Sequence, residues 1–571
     1  MRDYALVADG ERGALVGPDG EISWMCIPSW HSEPVFATLI GGRGVYAVTP
    51  RDPWRVEGGY YEDGSLIWRN RWVTSDGIIE CRDALACPGD PSRVCVLRRV
   101  MATEPHRPAR LTVRLDTSAG FLGEAGRDFR RGDDGTWTWR TGRLFARWAG
   151  AGDARPENAE LRLDLDVRPG DHHDLVLELS THAFDHSLPR PDQVWEATAR
   201  YWTDCVPPCD DTLAPRDARQ AYAVLRGLTT GYGAMVAAAT MCLPERAERG
   251  RNYDYRYAWI RDQCYAGQAV GAHGPHPLLD MAVTFVAERI LADGPTLRPA
   301  YLVTGEQVPD ERPLPLPGYP GSAAVVGNRA GAQFQLDVFG EALLLFAEAA
   351  RHDRLTKEAS EAVDMVIAAI QARWQEPDSG IWELGNEYWT HSRLICAAGL
   401  RSIAGIRPNQ TDRDMCRRLA DEIVSTVSRT CVRSDGAWQR TPVDRRVDAA
   451  LLLPGVRGAL PPSDPRTNAT ISAVLRELER DGYLYRFRHD SRPLHEAEGS
   501  FTACGFMMAL AQHRQGAALD ALRWFERNRA AYGTTGLYAE EFDVVQRQLR
   551  GNLPQTLVHA LGLECAVRLT G

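Results

Sequence analysis

Two short motifs far apart in the chain each place a glutamate close to an aromatic residue. They are Gly-Ile-Trp-Glu at residues 380–383 and Ala-Glu-Glu-Phe-Asp at residues 539–543. Hydrolysis of a glycosidic bond needs one carboxylic acid to protonate the leaving oxygen and one carboxylate to activate water or attack the anomeric carbon. Aromatic rings beside such groups suit the apolar face of a sugar. Glu383 and Glu540 are therefore candidates for two carboxyl groups that act on a sugar.

A third segment, residues 251–262, reads Arg-Asn-Tyr-Asp-Tyr-Arg-Tyr-Ala-Trp-Ile-Arg-Asp. A carboxylate accepts hydrogen bonds from sugar hydroxyls and a guanidinium donates them, so Arg261 and Asp262 suit a sugar site. Tyr255 and Trp259 would face the same side if this stretch is helical. From these residues alone, a surface ion pair and ordinary core packing of the two rings remain open.

The glutamate motifs have plain structural alternatives as well. Residues 382–383 also fit a Trp-Glu pair beside a helix, and residues 539–543 fit a solvated acidic turn. In an extended segment successive side chains point in opposite directions, so only one of Glu540 and Glu541 is expected to face a pocket. The other is expected to be solvated or hydrogen-bonded to backbone.

Length and composition are typical of a globular protein with two domains. The chain has 571 residues, of which 44% are hydrophobic and 25% charged, and no apolar run approaches the roughly 18 residues that cross a membrane. A net charge of −10 argues against nucleic acid as a partner. The first ten residues contain acidic side chains and lack the apolar stretch of a secretory signal, so we expect a cytoplasmic protein.

The thirteen cysteines are scattered singly, which predicts buried free thiols rather than a disulfide framework. Cys205 and Cys209 have no second Cys or His pair nearby, which disfavours structural zinc. No phosphate-binding glycine loop and no His-Glu-x-x-His motif occurs. We therefore expect neither a cofactor nor a metal.

The pattern of hydrophobic residues changes along the chain. Up to residue 187, apolar and polar residues alternate, and turn sequences lie at residues 17–20 and 133–135, which predicts an antiparallel β-sandwich. The clearest strand patterns are residues 93–97, 110–115, 160–165 and 174–179. Residues 188–212 are expected to form a linker with a helix over 194–205. From residue 213 to 571 the period becomes 3.6, as in Val363, Ile367 and Ile370, and about a dozen helices are expected. Periodicity alone fits any all-α toroid or solenoid.

The order of these segments resembles that of glycoside hydrolase family 15, the glucoamylase, glucodextranase and trehalase family, in its bacterial form. The resemblance covers nearly the whole chain. It implies that the helices of residues 213–571 close into an (α/α)6 barrel behind the β-sandwich.

The resemblance also implies roles for individual residues. It makes Glu383 the general acid and Glu540 the general base, and it has Arg261 and Asp262 hold the terminal glucose of the substrate. Arg486 resembles a further sugar-binding arginine of the family.

The aromatic residues Tyr255, Trp259 and Trp382 would line the same pocket. Trp382 is also expected to shield the Glu383 carboxyl from water, since desolvation makes a carboxylic acid hold its proton more tightly.

The expected activity is that of an exo-acting, inverting hydrolase that releases glucose from the non-reducing end of short α-glucosides. An α,α-trehalase is the nearest alternative. An inverting disaccharide phosphorylase would share the architecture but lack the water-activating carboxylate, and a non-catalytic sugar-binding protein would lack an acid or a base. A homo-oligomer is compatible with the sequence.

Overall fold

Two packed β-sheets followed by a ring of helices make up the chain in a computed structural model that describes residues 3–245, 251–320, 322–489 and 491–570. The strands of the N-terminal part are β1 Ala5–Ala8, β2 Gly13–Val16, β3 Glu21–Cys26, β4 Pro34–Phe36, β5 Val45–Pro50, β6 Arg55–Tyr61, β7 Trp68–Thr74, β8 Gly77–Leu85, β9 Arg93–Ala102, β10 Ala109–Asp116, β11 Ser118–Ala119, β12 Glu124–Ala125, β13 Arg127–Arg131, β14 Trp137–Thr141, β15 Leu144–Ala149, β16 Arg155–Glu157, β17 Glu160–Val167 and β18 His172–Ser180. The four strand patterns singled out in the sequence all lie within these strands.

The two sheets are antiparallel throughout. One runs in the order β1-β2-β3-β5-β10-β17-β16 with β4 beside β3, and the other in the order β13-β14-β15-β18-β9-β8-β7-β6. Strands β11 and β12 form a separate hairpin. The register aligns the apolar faces of neighbouring strands, for example Leu111 opposite Leu165 and Val113 opposite Leu163.

Alternation along the strands produces the core between the sheets. In β17 the side chains of Leu161, Leu163 and Leu165 are buried while the intervening charged residues are exposed. Large aromatic residues complete this core, and the indole N–H of the buried Trp148 donates to the Tyr46 hydroxyl across 3.0 Å. Burial of one face of each sheet against the other is the arrangement that the period of two predicts.

A helix joins the sheets to the rest of the chain. Helix α1 spans Pro191–Cys205, three residues longer at its start than expected, because Pro191 fits the first turn of a helix, where no N–H is needed. The guanidinium of Arg82 lies over the ring of its buried Trp195, 4.3 Å from the ring centroid. The helix therefore packs on the outer face of the second sheet.

The C-terminal part consists of helices with short connecting strands. The helices are α2 Pro215–Gly227, α3 Ile260–His273, α4 Pro277–Asp293, α5 Asp337–Arg351, α6 Lys357–Arg373, α7 Thr390–Ala404, α8 Gln410–Thr430, α9 Leu453–Val456, α10 Pro465–Leu478, α11 Leu494–Ala497, α12 Thr502–Arg514, α13 Ala518–Arg529 and α14 Thr556–Arg568. The strands are β19 Ala258–Trp259, β20 Ala300–Tyr301, β21 Arg312–Pro313, β22 Val325–Val326, β23 Glu479–Arg480, β24 Tyr483–Leu484, β25 Ser500–Phe501, β26 Glu541–Asp543 and β27 Gln548–Arg550.

The helices form an inner and an outer ring. Inner helices α3, α5, α7, α9, α12 and α14 contact one another in this order, and α14 closes the ring on α3. Helix α5 is buried on all sides, whereas the outer helix α8 buries only one stripe, from Cys416 to Val427. This is the burial pattern of an α/α barrel, in which the outer helices meet solvent on one side. None of the described helices combines the length and the apolar character needed to cross a bilayer.

All thirteen cysteines are free thiols, as expected, and eleven of them are buried.

A buried arginine of the segment 251–262 connects this segment to the β-sandwich. Arg256 and Asp254 are both fully buried and form an ion pair of 2.7 Å. The same guanidinium donates to the backbone carbonyl of Ser32 across 2.7 Å and to that of Trp30 across 3.4 Å. These bonds anchor the segment to the loop between β3 and β4.

We expect Arg256→Met to lower the free energy of unfolding by about 3 to 5 kcal/mol, because removing one member of a buried pair leaves Asp254 charged and unpaired. The measurement is the shift of the urea unfolding midpoint. Arg127→Met is the matched control, since its ion pair with Glu124 is exposed on both sides and is expected to contribute at most about 1 kcal/mol. Equal shifts in the two variants would contradict the anchoring role of Arg256.

Candidate active site

A cavity of about 370 Å³ lies at the end of the barrel where the inner helices begin. Trp259, Phe501 and Gln555 line it, and they directly precede α3, α12 and α14. The loops before α5 and α7 contribute as well, through Gln333 and Glu383. The N-termini of these helices carry partial positive charge, which favours carboxylates in the cavity.

All eight residues that the sequence pointed to lie on the wall of this cavity. They are Tyr255, Trp259, Arg261, Asp262, Trp382, Glu383, Arg486 and Glu540. Four separate stretches of the chain are thus brought together, as the shared chemistry of their side chains suggested.

Glu383 lies in a tight turn with unusual backbone geometry. Its φ of 55° is in the left-handed region, which non-glycine residues seldom adopt. The turn belongs to a loop closed by paired backbone bonds between Asp378 and Glu387. The fully buried Asp378 carboxylate accepts from the N–H of Gly380 at 3.0 Å and from Arg393 at 2.9 Å. Such a conformation persists only where its surroundings impose it, and it aims the Glu383 side chain into the cavity.

Two donors hold one oxygen of the Glu383 carboxyl. Trp259 Nε1 donates to Oε1 across 2.7 Å and Arg261 Nη2 lies 3.3 Å from the same atom. The side chain remains 26% exposed, towards the cavity. Trp382 gives its indole N–H to Asp448 at 2.7 Å, so its expected shielding of Glu383 remains a prediction.

Glu540 is buried and faces the cavity. Its Oε1 accepts from the Tyr255 hydroxyl across 2.9 Å. Burial raises the pKa of Glu540 well above its usual value, and the neighbouring Glu245 carboxylate raises it further. This carboxyl group therefore binds a proton more readily than an exposed glutamate does.

Glu541, unlike Glu540, is not among the residues that line the cavity. It is fully buried and accepts from the backbone N–H of Gly499 at 2.8 Å, which confirms the backbone-bonded alternative. The solvated alternative is wrong for both glutamates, because the strand β26 that begins at Glu541 is covered by the barrel.

Tyr255 and Trp259 share a face, but in a different conformation from the helix considered in the sequence. Helix α3 begins only at Ile260, and Trp259 has extended backbone angles. The ring centroids of Tyr255 and Trp259 are 5.6 Å apart in an edge-to-face arrangement. Four residues are an even number, so an extended chain also returns the side chain to the same side.

Arg261 and Asp262 are buried in the first turn of α3 and are not a surface ion pair. Burial alone would lower the pKa of the Arg261 guanidinium, but the carboxylates of Asp337 and Glu383 raise it above its usual value. Arg261 lies 3.5 Å from Asp337. Desolvation raises the pKa of Asp262 to about 6, against a lowering effect of Arg261.

Arg486 is surrounded by carboxylates. Its Nη2 lies 2.7 Å from Glu498, 3.5 Å from Glu541 and 3.6 Å from Glu245. These contacts take up much of its hydrogen-bonding capacity, so its role as a sugar ligand remains a prediction.

Several residues of the site were not identified from the sequence. Gln335 accepts from Arg261 across 2.5 Å and donates to Gln333 across 2.9 Å. Glu245 and Glu498 line or adjoin the cavity as single acidic residues. Neither belongs to a motif with a recognisable spacing, although Glu245 lies only six positions before the segment 251–262.

Metal-binding potential within the described ranges is confined to one group, His172 and Asp174 of β18 with Asp192 of α1. The Arg99 guanidinium already bridges both carboxylates, at 2.8 Å from Asp174 and 2.5 Å from Asp192. The Arg99 side chain thereby neutralises the negative charge that would attract a cation.

Comparisons with known proteins agree with this architecture. Residues 219–567 match the family model of glycosyl hydrolases family 15, and residues 2–115 match the model described as trehalase-like, N-terminal. A trehalase of Mycobacterium tuberculosis is 29% identical, with 100% of this chain and 89% of that protein aligned. Trehalase 1 of Sulfolobus acidocaldarius is 26% identical, with 98% and 97% aligned. A bacterial glucoamylase solved with acarbose has a TM-score of 0.71 at 13% identity, covering 100% of this chain and 94% of that chain. The structural match confirms the predicted sandwich and (α/α)6 barrel.

We expect Glu383→Gln and Glu540→Gln each to reduce kcat by a factor on the order of 10² to 10⁴, because each removes one proton-transfer group. Steady-state kinetics with an α-glucoside measures this. Glu311→Gln is the control, a glutamate of the same cavity wall that pairs with Arg329 instead. Turnover of Glu540→Gln close to that of the unmodified protein would remove Glu540 from the chemistry.

We expect Asp262→Asn to stabilise the protein at neutral pH while weakening the binding of glucose. The folded state holds the Asp262 pKa at about 6 against an ordinary value of 3.8, so ionisation of this group costs the fold stability as the pH rises through that interval. The difference corresponds to about 3 kcal/mol at most. Unfolding midpoints of both proteins should coincide below pH 3.8, diverge as the pH rises to about 6, and stay apart above that, with the variant more stable. A variant that is equally stable, or that binds glucose as before, would speak against an ionised Asp262 in the sugar site.

Proposed function

Because the chain belongs to glycoside hydrolase family 15 and is an O-glycosyl hydrolase, we propose that it hydrolyses short α-glucosides with inversion and that its main substrate is α,α-trehalose. The choice of trehalose as substrate is supported by the alignment with trehalases over nearly their whole length. The glucoamylase likeness, at 13% identity, supports the fold alone. Trehalose, the alternative in the sequence-based expectation, is therefore preferred over maltooligosaccharides and isomaltose.

The size and chemistry of the cavity support a small substrate. A volume of about 370 Å³ is near the lower end of ligand-binding pockets, which run from about 300 to 1,000 Å³. Arg261 and Asp262 lie at its inner wall, where they would bind the hydroxyls of one glucose unit. A site of buried polar groups discriminates strongly against sugars that lack a matching hydroxyl.

The arrangement around Glu383 suits a general acid. Trp259 and Arg261 both contact Oε1, and among the described residues no donor contacts Oε2. The proton of the acid would therefore reside on Oε2, which is free to give it to the glycosidic oxygen. Departure of the second glucose takes that proton with it.

Glu540 would complete the reaction as the base. A water molecule on the opposite side of the anomeric carbon loses a proton to Glu540 while its oxygen forms the new bond. The Tyr255 hydroxyl fixes the Glu540 carboxylate through Oε1. Proton exchange with solvent then restores Glu383 and Glu540 for the next turnover.

The alternatives differ in what the second carboxyl group does. A phosphorylase uses phosphate in place of a water-activating base, and a sugar sensor needs neither acid nor base. Two carboxyl groups on one cavity wall, each oriented by its own aromatic donor, favour hydrolysis.

We expect trehalose to be cleaved with a higher kcat/KM than isomaltose, maltose or maltotriose, and its cleavage to yield one α-glucose and one β-glucose at first. Inversion converts the attacked unit to the β-anomer, whereas the leaving unit keeps its α configuration. Proton NMR of the first turnovers measures both products. Retention would give α-glucose from both halves.

Two further outcomes separate the rivals. Glucose 1-phosphate formed in phosphate buffer would establish phosphorolysis. Preference for maltotriose over trehalose would favour a glucoamylase-like activity instead. Glu383→Gln is the matched control, since it removes the proposed proton donor while keeping the shape of the cavity.

A further inference from the structure

We propose that Glu245 is a positioning residue for the reaction: its carboxyl group shares one proton with that of Glu540 and thereby sets the pH range in which Glu540 is available as the base. The proposal rests on the role of Glu540 in the proposed function and adds a residue to it. The sequence motifs do not include Glu245.

The backbone fixes Glu245 beside the strand that carries the base. Glu541, the residue after Glu540, pairs with Arg550 across β26 and β27. The next residue, Gly551, donates its N–H to the Pro244 carbonyl across 2.9 Å. A Cβ atom on Gly551 would lie 3.2 Å from Cβ of Glu540 and 3.6 Å from Cγ of Glu245, so the glycine lets both side chains pack against it.

Each of the two carboxyl groups has one buried oxygen without a hydrogen-bond donor in the described part of the chain. An ionised carboxylate only accepts hydrogen bonds. Glu245 Oε1 and Glu540 Oε2 are buried, and no donor from the described residues reaches either atom. One proton held between the two carboxyl groups, whose side chains both pack against Gly551, would supply the missing donor.

The surrounding charges favour such a proton. Arg486 is 2.7 Å from Glu498 and 3.5 Å from Glu541, but 3.6 Å from Glu245. Its positive charge is therefore shared among three carboxylates. The charged or titratable groups around the pair are Glu498, Glu541, Arg251, Arg486, His489, Tyr253 and Tyr255. Four glutamates face two arginines here, so full ionisation would leave an excess of negative charge in a buried site.

Glu245 thus controls whether Glu540 is ionised. A second carboxylate nearby disfavours the charged form of its neighbour, which raises the pKa of the pair's second ionisation, the step that removes the shared proton. Because a base acts only when it is ionised, activity should fall as the pH drops through this ionisation. When the shared proton lies on Glu245, its O–H donates to the Glu540 carboxylate and orients it, as the Tyr255 hydroxyl does from the other side.

The test is the pH profile of kcat/KM on trehalose for Glu245→Gln. Removing the competing charge while keeping an amide donor should stabilise ionised Glu540, so the acidic limb should move to lower pH by about one unit or more. Glu245→Asp keeps an ionisable group and should retain a limb close to that of the unmodified protein. Glu341→Gln is the matched control. Glu341 is a fully buried glutamate of the inner helix α5 that accepts a hydrogen bond from Gln268, and its substitution should leave the acidic limb of the pH profile in place.

An unmoved limb in Glu245→Gln, or a uniform loss of kcat with an unchanged pH profile, would overturn the proposal. Infrared difference spectra report on the shared proton directly. They require neither enzymatic turnover nor a folded Glu245→Gln variant. The unmodified protein should show a protonated carboxyl band that titrates with pH and is lost in Glu540→Gln, and absence of this band would overturn the shared proton. If the unmodified protein cleaves no α-glucoside while the band is present, the proposed function fails and the proton pairing stands.

Discussion

The site depends on one pair of aromatic rings. Tyr255 and Trp259 lie edge to face, and each donates a hydrogen bond to a different glutamate, Tyr255 to Glu540 and Trp259 to Glu383. The two carboxyl groups come from loops 157 positions apart, and the short segment from Tyr255 to Trp259 orients both of them. Tyr253 stacks on Tyr255 with their centroids 6.0 Å apart, which stiffens the segment further.

The cavity has to hold several acidic groups at once. Inner helices point their N-termini at it, and their partial positive charges partly compensate the carboxylates. Arg261 and Arg486 supply full charges, each between two or more carboxyl groups. This compensation does not offset burial, which raises the pKa values of Asp262 and Glu540, with a smaller contribution from neighbouring carboxylates. Such perturbed groups in one cleft are typical of catalytic sites.

Much of the fold was predictable, because sandwich strands and outer helices each bury one face and therefore show a clear period. Inner helices such as α5 are apolar nearly all round, so periodicity alone could not place them in a closed ring. The fourth inner position is shorter than the others, since α9 has only four residues, and no period can appear there. At the site, residues in motifs were found, whereas Glu245, Gln335 and Glu498 act through contacts between distant segments. Single residues of this kind carry no signal in one sequence.

The anchoring of Arg256 has a consequence for how such chains diverge. In the sandwich its oxygen partners are backbone carbonyls, those of Trp30 and Ser32, and every amino acid supplies a carbonyl. Selection on these two bonds therefore acts on the path of the β3–β4 loop, whereas the Trp30 side chain is held by a separate bond to the Gly10 carbonyl. The residues whose carbonyls bind Arg256 could therefore be substituted without loss of these two bonds to the segment 251–262, provided that the loop keeps its path. Exchange of sandwich domains between such proteins should succeed according to the shape of this loop, whatever the similarity of the sequences.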